Sequence, residues 1–267
     1  MSNFFIIEGI SSVSAVINNT LNAYSNSRRR LTDVYFDMSK IAKYDRANYG
    51  RYRFLKENAQ RCGYVFHEST TDEISVMVSG NTHGGIAAKM EFFEIDTLSA
   101  DKIKDNSFYC YLDGVDDPFN VGYIIRTMYA FGVSGVILPE NNKMNLFAST
   151  VIKSSAGLTE HVDMHTASPE LLCSAFREKE YKIVCSSLRD SVPCHDADLK
   201  YPLLLVIGGE KRGISRAILS NADLNVRIDY SVPFNGSLPS VCAASVLGYE
   251  IGLQNGNTKC FKEKLIL

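Results

Sequence analysis

From Phe108 onward the chain alternates unbroken apolar runs with segments of helical spacing, and this alternation most constrains the fold. Leu203-Leu-Leu-Val-Ile207 offers no polar position, so a strand made from it must be covered on both faces. That is the condition of a parallel sheet packed between helices. The strands expected on this basis are 108–112, 135–138, 161–164, 182–185, 203–207 and 224–228. The helices expected are 121–131, 145–154, 169–179, 215–221 and 240–253.

The part before this region reads differently. Val13, Val16, Ile17 and Leu21 mark an amphipathic stretch, and Leu31–Phe36 has strand character. Tyr52, Leu55 and Ala59 recur at helical spacing within 49–61, with Gly63 at the stop position. Further strands are expected at 64–66, 74–78 and 86–93. The reading is therefore a small α/β domain over 1–95, a polar linker over 96–107 and a larger α/β domain over 108–267. A chain of 267 residues, 45% of them apolar, has enough apolar material for two such cores.

A net charge of −2 gives no long-range pull on nucleic acid, so any affinity for it must come from a local patch. The seven cysteines are scattered, with no Cys-x-x-Cys pair, as expected for buried thiols in a reducing compartment without structural zinc. No run approaches the ~18 apolar residues of a membrane span, and no cationic leader precedes the first apolar stretch. A cytoplasmic, soluble protein without bound metal is the expectation.

Three segments can carry chemistry. The first runs from Asp113 to Gly132, a strand end, a polar loop and a helix, with Asn120 placed to cap the helix and Arg126 inside it among Ile124, Ile125, Met128 and Tyr129. By itself this is a capped helix with an exposed arginine, but a cation among so many apolar neighbours also fits a surface that something else covers. The second, Val206-Ile-Gly-Gly-Glu-Lys-Arg-Gly-Ile-Ser215, is a strand running into a glycine-rich turn, where open α/β sheets bind ligands. Its Gly208-x4-Gly213 spacing imitates a phosphate loop, but isoleucine stands where lysine is needed, and no Gly-x-Gly-x-x-Gly fingerprint is present. Triphosphate binding is excluded and a dinucleotide-dependent oxidoreductase disfavoured. The glycines then let backbone approach another flat, polar ligand, while Glu210 reads equally as a solvated turn residue. In the third, Ser237 falls at a helix entry ahead of Pro239, and Ser237 alone would pass for a helix cap.

The order of these motifs resembles the SpoU (TrmH) family of RNA methyltransferases. The matching text is Asn120-Val-Gly-Tyr-Ile-Ile-Arg126, then Val151-Ile-Lys-Ser-Ser-Ala-Gly157, then Val206–Ser215, then Ser237-Leu238 and the alanine-rich helix. More loosely, 1–95 is similar to the family's small ribosomal-protein-like substrate-binding domain. The resemblance implies a parallel sheet closed by a C-terminal trefoil knot, which is a rare topology. It implies S-adenosylmethionine held at Gly208, Gly209, Glu210, Ile228 and Leu238, and a homodimer through the knotted domain. It implies catalytic roles for Asn120, Arg126, Glu210 and Ser237 in methylating a ribose 2′-hydroxyl, with ribosomal RNA favoured over transfer RNA. Two departures stand out. Pro239 replaces the asparagine of the family's Ser-Leu-Asn, and Ile228-Asp-Tyr230 replaces Ile-Pro-Met. They leave open an RNA-binding or assembly factor with weak or no catalysis. For RNA contact the candidates are Arg28, Arg29, Arg30, Arg46, Arg51, Arg53 and Lys56, interleaved with tyrosines, although a solvated helix face gives the same pattern.

Overall fold

The computed structural model describes residues 4–22, 29–41, 45–78, 80, 82–91, 95–140 and 149–256. They form two compact units, and the chain passes between them more than once: the first holds 4–95, 117–126 and 149–163, the second 96–116, 127–140 and 164–256.

In the first unit, β1 (Phe4–Glu8), α1 (Ile10–Asn22), β2 (Leu31–Asp37), α2 (Arg46–Cys62), β3 (Val65–Ser69), α3 (Thr71–Met77) and β4 (Ile86–Glu91) follow in order. The strands make one sheet in the order β1-β4-β2-β3, with β2 and β3 parallel and the other pairs antiparallel. Ile7, Val34, Phe36, Ile86 and Met90 of the sheet and Val13, Val16, Ile17 and Leu55 of the helices share one core. The helix α2 ends where expected, with Gly63 left-handed at φ 75°.

The strand expected at 74–78 is instead α3. Thr70 accepts from the Glu73 amide while the Glu73 carboxylate accepts from the Thr70 amide, and this capping box overrides the β-branched pattern of Ile74, Val76 and Val78.

Two segments from later in the chain complete this unit: the first part of α4 (Pro118–Ala130), and α5 (Ser149–Ser154) with the 3-10 turn Leu158–Glu160. Ile152 enters the core just described. Gly157 lies so close to α1 that a Cβ there would stand 2.5 Å from the Ala15 methyl and 2.8 Å from the Ser11 carbonyl. Lys153 donates to Glu8 at 2.6 Å and to the Thr82 hydroxyl, and Arg29 donates to Glu160 in a pair that is buried on both sides. Arg29, expected to face RNA, is therefore an internal residue. Arg28 lies outside the described residues, as does the start of the helix expected at 145–154.

The second unit is built on β5 (Phe108–Asp113), β6 (Gly135–Pro139), β7 (Asp163–Ala167), β8 (Lys182–Ser186), β9 (Val192–Pro193), β10 (Leu203–Gly208) and β11 (Leu224–Arg227), in the order β7-β6-β5-β10-β8-β11-β9. The pairs of β5 with β6, of β10 with β5 and β8, and of β11 with β8 and β9 are parallel. Leu203–Ile207 at the centre is wholly buried, as its unbroken apolar run requires. The helices are α6 (Pro169–Glu178), α7 (Arg216–Leu219) and α8 (Ser240–Gln254). The strand expected at 161–164 begins two residues later, because the 3-10 turn through Glu160 closes at His161. The interval read as a linker is packed: Leu98 and Ile103 are buried in the core of this unit beside Phe176 and Tyr109.

Candidate functional site

A cavity of about 530 Å³ opens at the carboxyl ends of β8, β10 and β11, within the range of small-molecule and cofactor sites. Gly208, Gly209, Glu210, Ile228, Ser237 and Leu238 all line it. Three separate stretches of the chain, 208–210, 228 and 237–238, thus meet on one cavity. Sequence reasoning missed Ser186 at the end of β8 with Ser187 and Leu188 beyond it, Tyr230 in the loop after β11, and Ala243 and Leu247 of α8. The end of a buried apolar strand was the only signal for the β8 residues.

The glycine-rich turn is held by the chain itself. The Gly209 amide donates to the Asp113 carbonyl at 2.8 Å, and the Gly213 amide donates to the Gly209 carbonyl at 2.9 Å. The Asp113 carboxylate accepts from the Ser215 amide at 2.7 Å. A Cβ at Gly209 would fall 1.8 Å from the Gly114 carbonyl oxygen, and one at Gly208 would fall 2.8 Å from the backbone of Gly213 and Ile214. Gly209 therefore allows two loops to touch and Gly208 allows the turn to close on itself, a stricter demand than room for a ligand.

The loop after β11 has its own fastenings. Arg227 Nε donates to Asp229 at 2.8 Å, and its Nη1 donates to the Ser191 carbonyl. The Leu238 amide donates to the Tyr230 hydroxyl at 3.3 Å. Pro239, expected in the first turn of α8, is its N-cap with no side-chain cap bond, and Ser237 is an exposed loop residue rather than a cap. Ser240 Oγ donates instead to the Gly208 carbonyl at 3.0 Å, tying α8 to β10.

Asn120 and Arg126 belong to α4, in the first unit. Asn120 does not cap that helix. Pro118 opens it two residues earlier, and the Asp117 carboxylate accepts from the Asn120 amide at 2.9 Å. The backbone at Gly122 presses on α5, since a Cβ there would stand 1.9 Å from Ser154 Oγ. Ile124, Ile125 and Met128 are buried, whereas Arg126 is exposed on a face with Phe119 (54% exposed) and Tyr123 (44%). On α8, Cys242, Val246, Tyr249 and Leu253 form a similar exposed face, with Tyr249 edge-on to Phe131 at 6.0 Å.

Of the other candidates, Arg30, Arg46, Arg51, Arg53 and Lys56 are exposed. Arg53 pairs with Glu57, and Lys56 pairs with Glu68 and the Tyr52 hydroxyl, so much of the α2 charge is already matched. Burial pushes the Cys185 thiol on β8 up to about 12, which keeps it protonated and unreactive. Among the described residues no group of acidic, histidine and cysteine side chains is arranged to hold a metal ion, and no helix is long and apolar enough to cross a membrane.

The parallel α/β sheet with a cofactor-sized cavity at its carboxyl edge defines the class, and comparison with known proteins gives the family. Residues 107–249, more than half of the chain, match the SpoU rRNA methylase family. An uncharacterized tRNA/rRNA methyltransferase of Synechocystis is 31% identical over 77% of this chain and 55% of its own length, so the chain spans about half of that relative. A Staphylococcus saprophyticus protein described as a TrmH family tRNA/rRNA methyltransferase is 33% identical over 65% of this chain and 72% of its own. The fold is that of the Streptomyces viridochromogenes SpoU methyltransferase AviRb, solved with AdoMet, at a TM-score of 0.77, 19% identity, and coverage of 94% and 90% of the two chains. An AdoMet-bound rRNA methyltransferase of Sinorhizobium meliloti gives a TM-score of 0.74 at 20% identity, covering 93% of this chain and 87% of the other. The chain belongs to the SpoU methylase family.

Proposed function

We propose that this protein transfers a methyl group from S-adenosylmethionine to a ribose 2′-hydroxyl in structured RNA, ribosomal RNA ahead of transfer RNA. The observation that carries this reading is the meeting of Gly208–Glu210, Ile228, Ser237 and Leu238 on one cavity, in a chain of this family. The AdoMet-bound relatives of the same fold support the choice of cofactor. Main-chain groups of Gly208–Glu210 and Leu238 would hold it, and Leu188, Val226 and Leu247 give apolar walls for a nucleoside face.

When bound, the cofactor supplies an electrophilic methyl on a sulfonium. The rest would fall to the chain, which must align hydroxyl, methyl and sulfur while the hydroxyl proton passes to solvent water and the sulfur departs as a neutral thioether. Arg126 is assigned to charge stabilisation and not to proton removal, because a guanidinium offers donors and no acceptor. It grips the phosphate beside the target ribose and stabilises negative charge developing on the attacking oxygen. Asn120 orients the arginine or the ribose, Glu210 fixes the turn, and Ser237 hydrogen-bonds near the reacting groups. The exposed apolar faces of α4 and of α8 each fit a homodimer contact, in which a second copy would cover Phe119 and Tyr123 on the one and Tyr249 on the other. The division into an RNA-binding domain over 1–95 and a methyltransferase domain closed by a trefoil knot belongs to the same reading, as does RNA contact by Arg30, Arg46 and Arg51 together with the partly matched Arg53 and Lys56.

Pro239, an N-cap without a side-chain bond where the resemblance calls for asparagine, favours a second reading, an RNA-binding factor without transfer. Incubation with labelled S-adenosylmethionine and total cellular RNA decides between them. Label in ribose 2′-O-methyl groups is expected. No transfer, together with no cofactor binding by calorimetry, leaves only the second reading.

A further inference from the structure

The rim of the cavity carries more positive charge than the fold uses. Arg189, Arg212, Arg216 and Arg227 line it against a single carboxylate, Glu210. Arg227 is matched by Asp229 and the Ser191 carbonyl. The other three are exposed and make no ion pair or side-chain hydrogen bond among the described residues. Like charges gathered on one rim repel each other, so the folded chain alone gains nothing from them.

An exposed aromatic ring stands in the adjoining loop. Phe234 is 53% exposed and packs within its own loop: its ring meets Tyr230 edge-on at 5.4 Å, and a Cβ on Gly236 would stand 2.6 Å from its Cζ. Tyr230 in turn accepts from the Leu238 amide on the cavity wall. The ring thus reaches the site through Tyr230 while much of it remains in water. An exposed ring packed on the Tyr230 of the cavity wall, with unmatched guanidiniums on the same rim, suits single-stranded nucleic acid, whose bases stack on aromatic faces and whose phosphates take arginine forks.

We propose that this rim is the RNA grip of the site: Arg189, Arg212 and Arg216 hold backbone phosphates flanking the target nucleotide, and an unpaired base stacks on Phe234. The choice of RNA rests on the methyltransferase reading. The ring requires an unpaired base, since the faces of bases inside a duplex are already stacked.

The test uses the full chain, a short labelled single-stranded oligoribonucleotide followed by anisotropy over a salt series, and calorimetry with S-adenosylmethionine. Phe234→Ala and Phe234→Leu are each expected to weaken RNA binding about tenfold with cofactor affinity unchanged. Each Arg→Gln change at 189, 212 or 216 is expected to lower the salt slope by about 0.7. RNA affinity unchanged in both Phe234 variants overturns the proposal, as does a loss of cofactor affinity in the arginine variants with the RNA salt slope intact. Methyl transfer that is insensitive to all these variants sinks the grip and spares the methyltransferase reading. Phe234-dependent RNA binding without any transfer does the reverse.

Discussion

Arg29 and Arg30 are adjacent in the chain, yet Arg29 is buried against Glu160 and Arg30 faces solvent. Removing one partner of a buried pair strands the other charge, so Arg29→Met should destabilise the protein by about 3–5 kcal/mol, read from denaturant midpoints. Arg53→Ala, which removes an exposed pair with Glu57, should cost under about 1 kcal/mol. Equal effects would mean that the Arg29 pair is not shielded. Asp37 belongs to the same scale. Burial raises its pKa, but hydrogen bonds from Thr71 and Ser39 outweigh this and hold it below its ordinary value of 3.8. A depressed carboxylate stabilises the fold above that value and ceases to do so as pH falls through its folded pKa. Acid unfolding below about pH 4 should therefore be less steep in Asp37→Asn, as followed by circular dichroism. The fates of the two arginines were illegible in the basic triplet, because burial depends on a partner 131 residues away. The cavity glycines were legible as a turn, but Gly114, against which Gly209 packs, was not.

Among the elements, those with continuous apolar runs were the easiest to read, because a strand covered on both faces has no polar position to blur its ends. The two-residue β9 carries too little pattern to be seen. The helix α3 was misread because its β-branched residues favour a strand while its cap favours a helix. Thr70→Ala should therefore cost about 1 kcal/mol, and a midpoint unchanged within error would show that packing of Ile74 alone holds the helix. The exposed faces of α4 and α8 make their own prediction. Tyr249→Glu puts a charge on an apolar surface and should turn the homodimer proposed above into a monomer in sedimentation velocity while leaving thermal stability of the monomer intact. A wild-type chain that is monomeric at high concentration would remove the premise.

For the whole molecule, the SpoU match begins at residue 107, and the sequence alone divides the chain near there. The packing divides it elsewhere: 149–163 lies within that match but belongs to the first unit through Ile152, Lys153, Gly157 and Glu160. Nothing in Val151–Gly157 names Glu8 or Ala15 as its neighbours, which is why this was not visible beforehand. A chain lacking 1–95 should therefore expose the surfaces these residues bury, and it should be insoluble or lack a cooperative thermal transition. A soluble fragment with a sharp transition and native-like circular dichroism would contradict the interleaved packing.

The same interleaving sets a timetable during synthesis. Residues 4–95 leave the ribosome with Arg29 and Glu8 lacking their later partners and Ala15 lacking Gly157 against it. At the usual pace of translation the missing segment follows roughly 3–14 s later, so the amino-terminal unit spends that interval as an unfinished fold whose interior is open to chaperones.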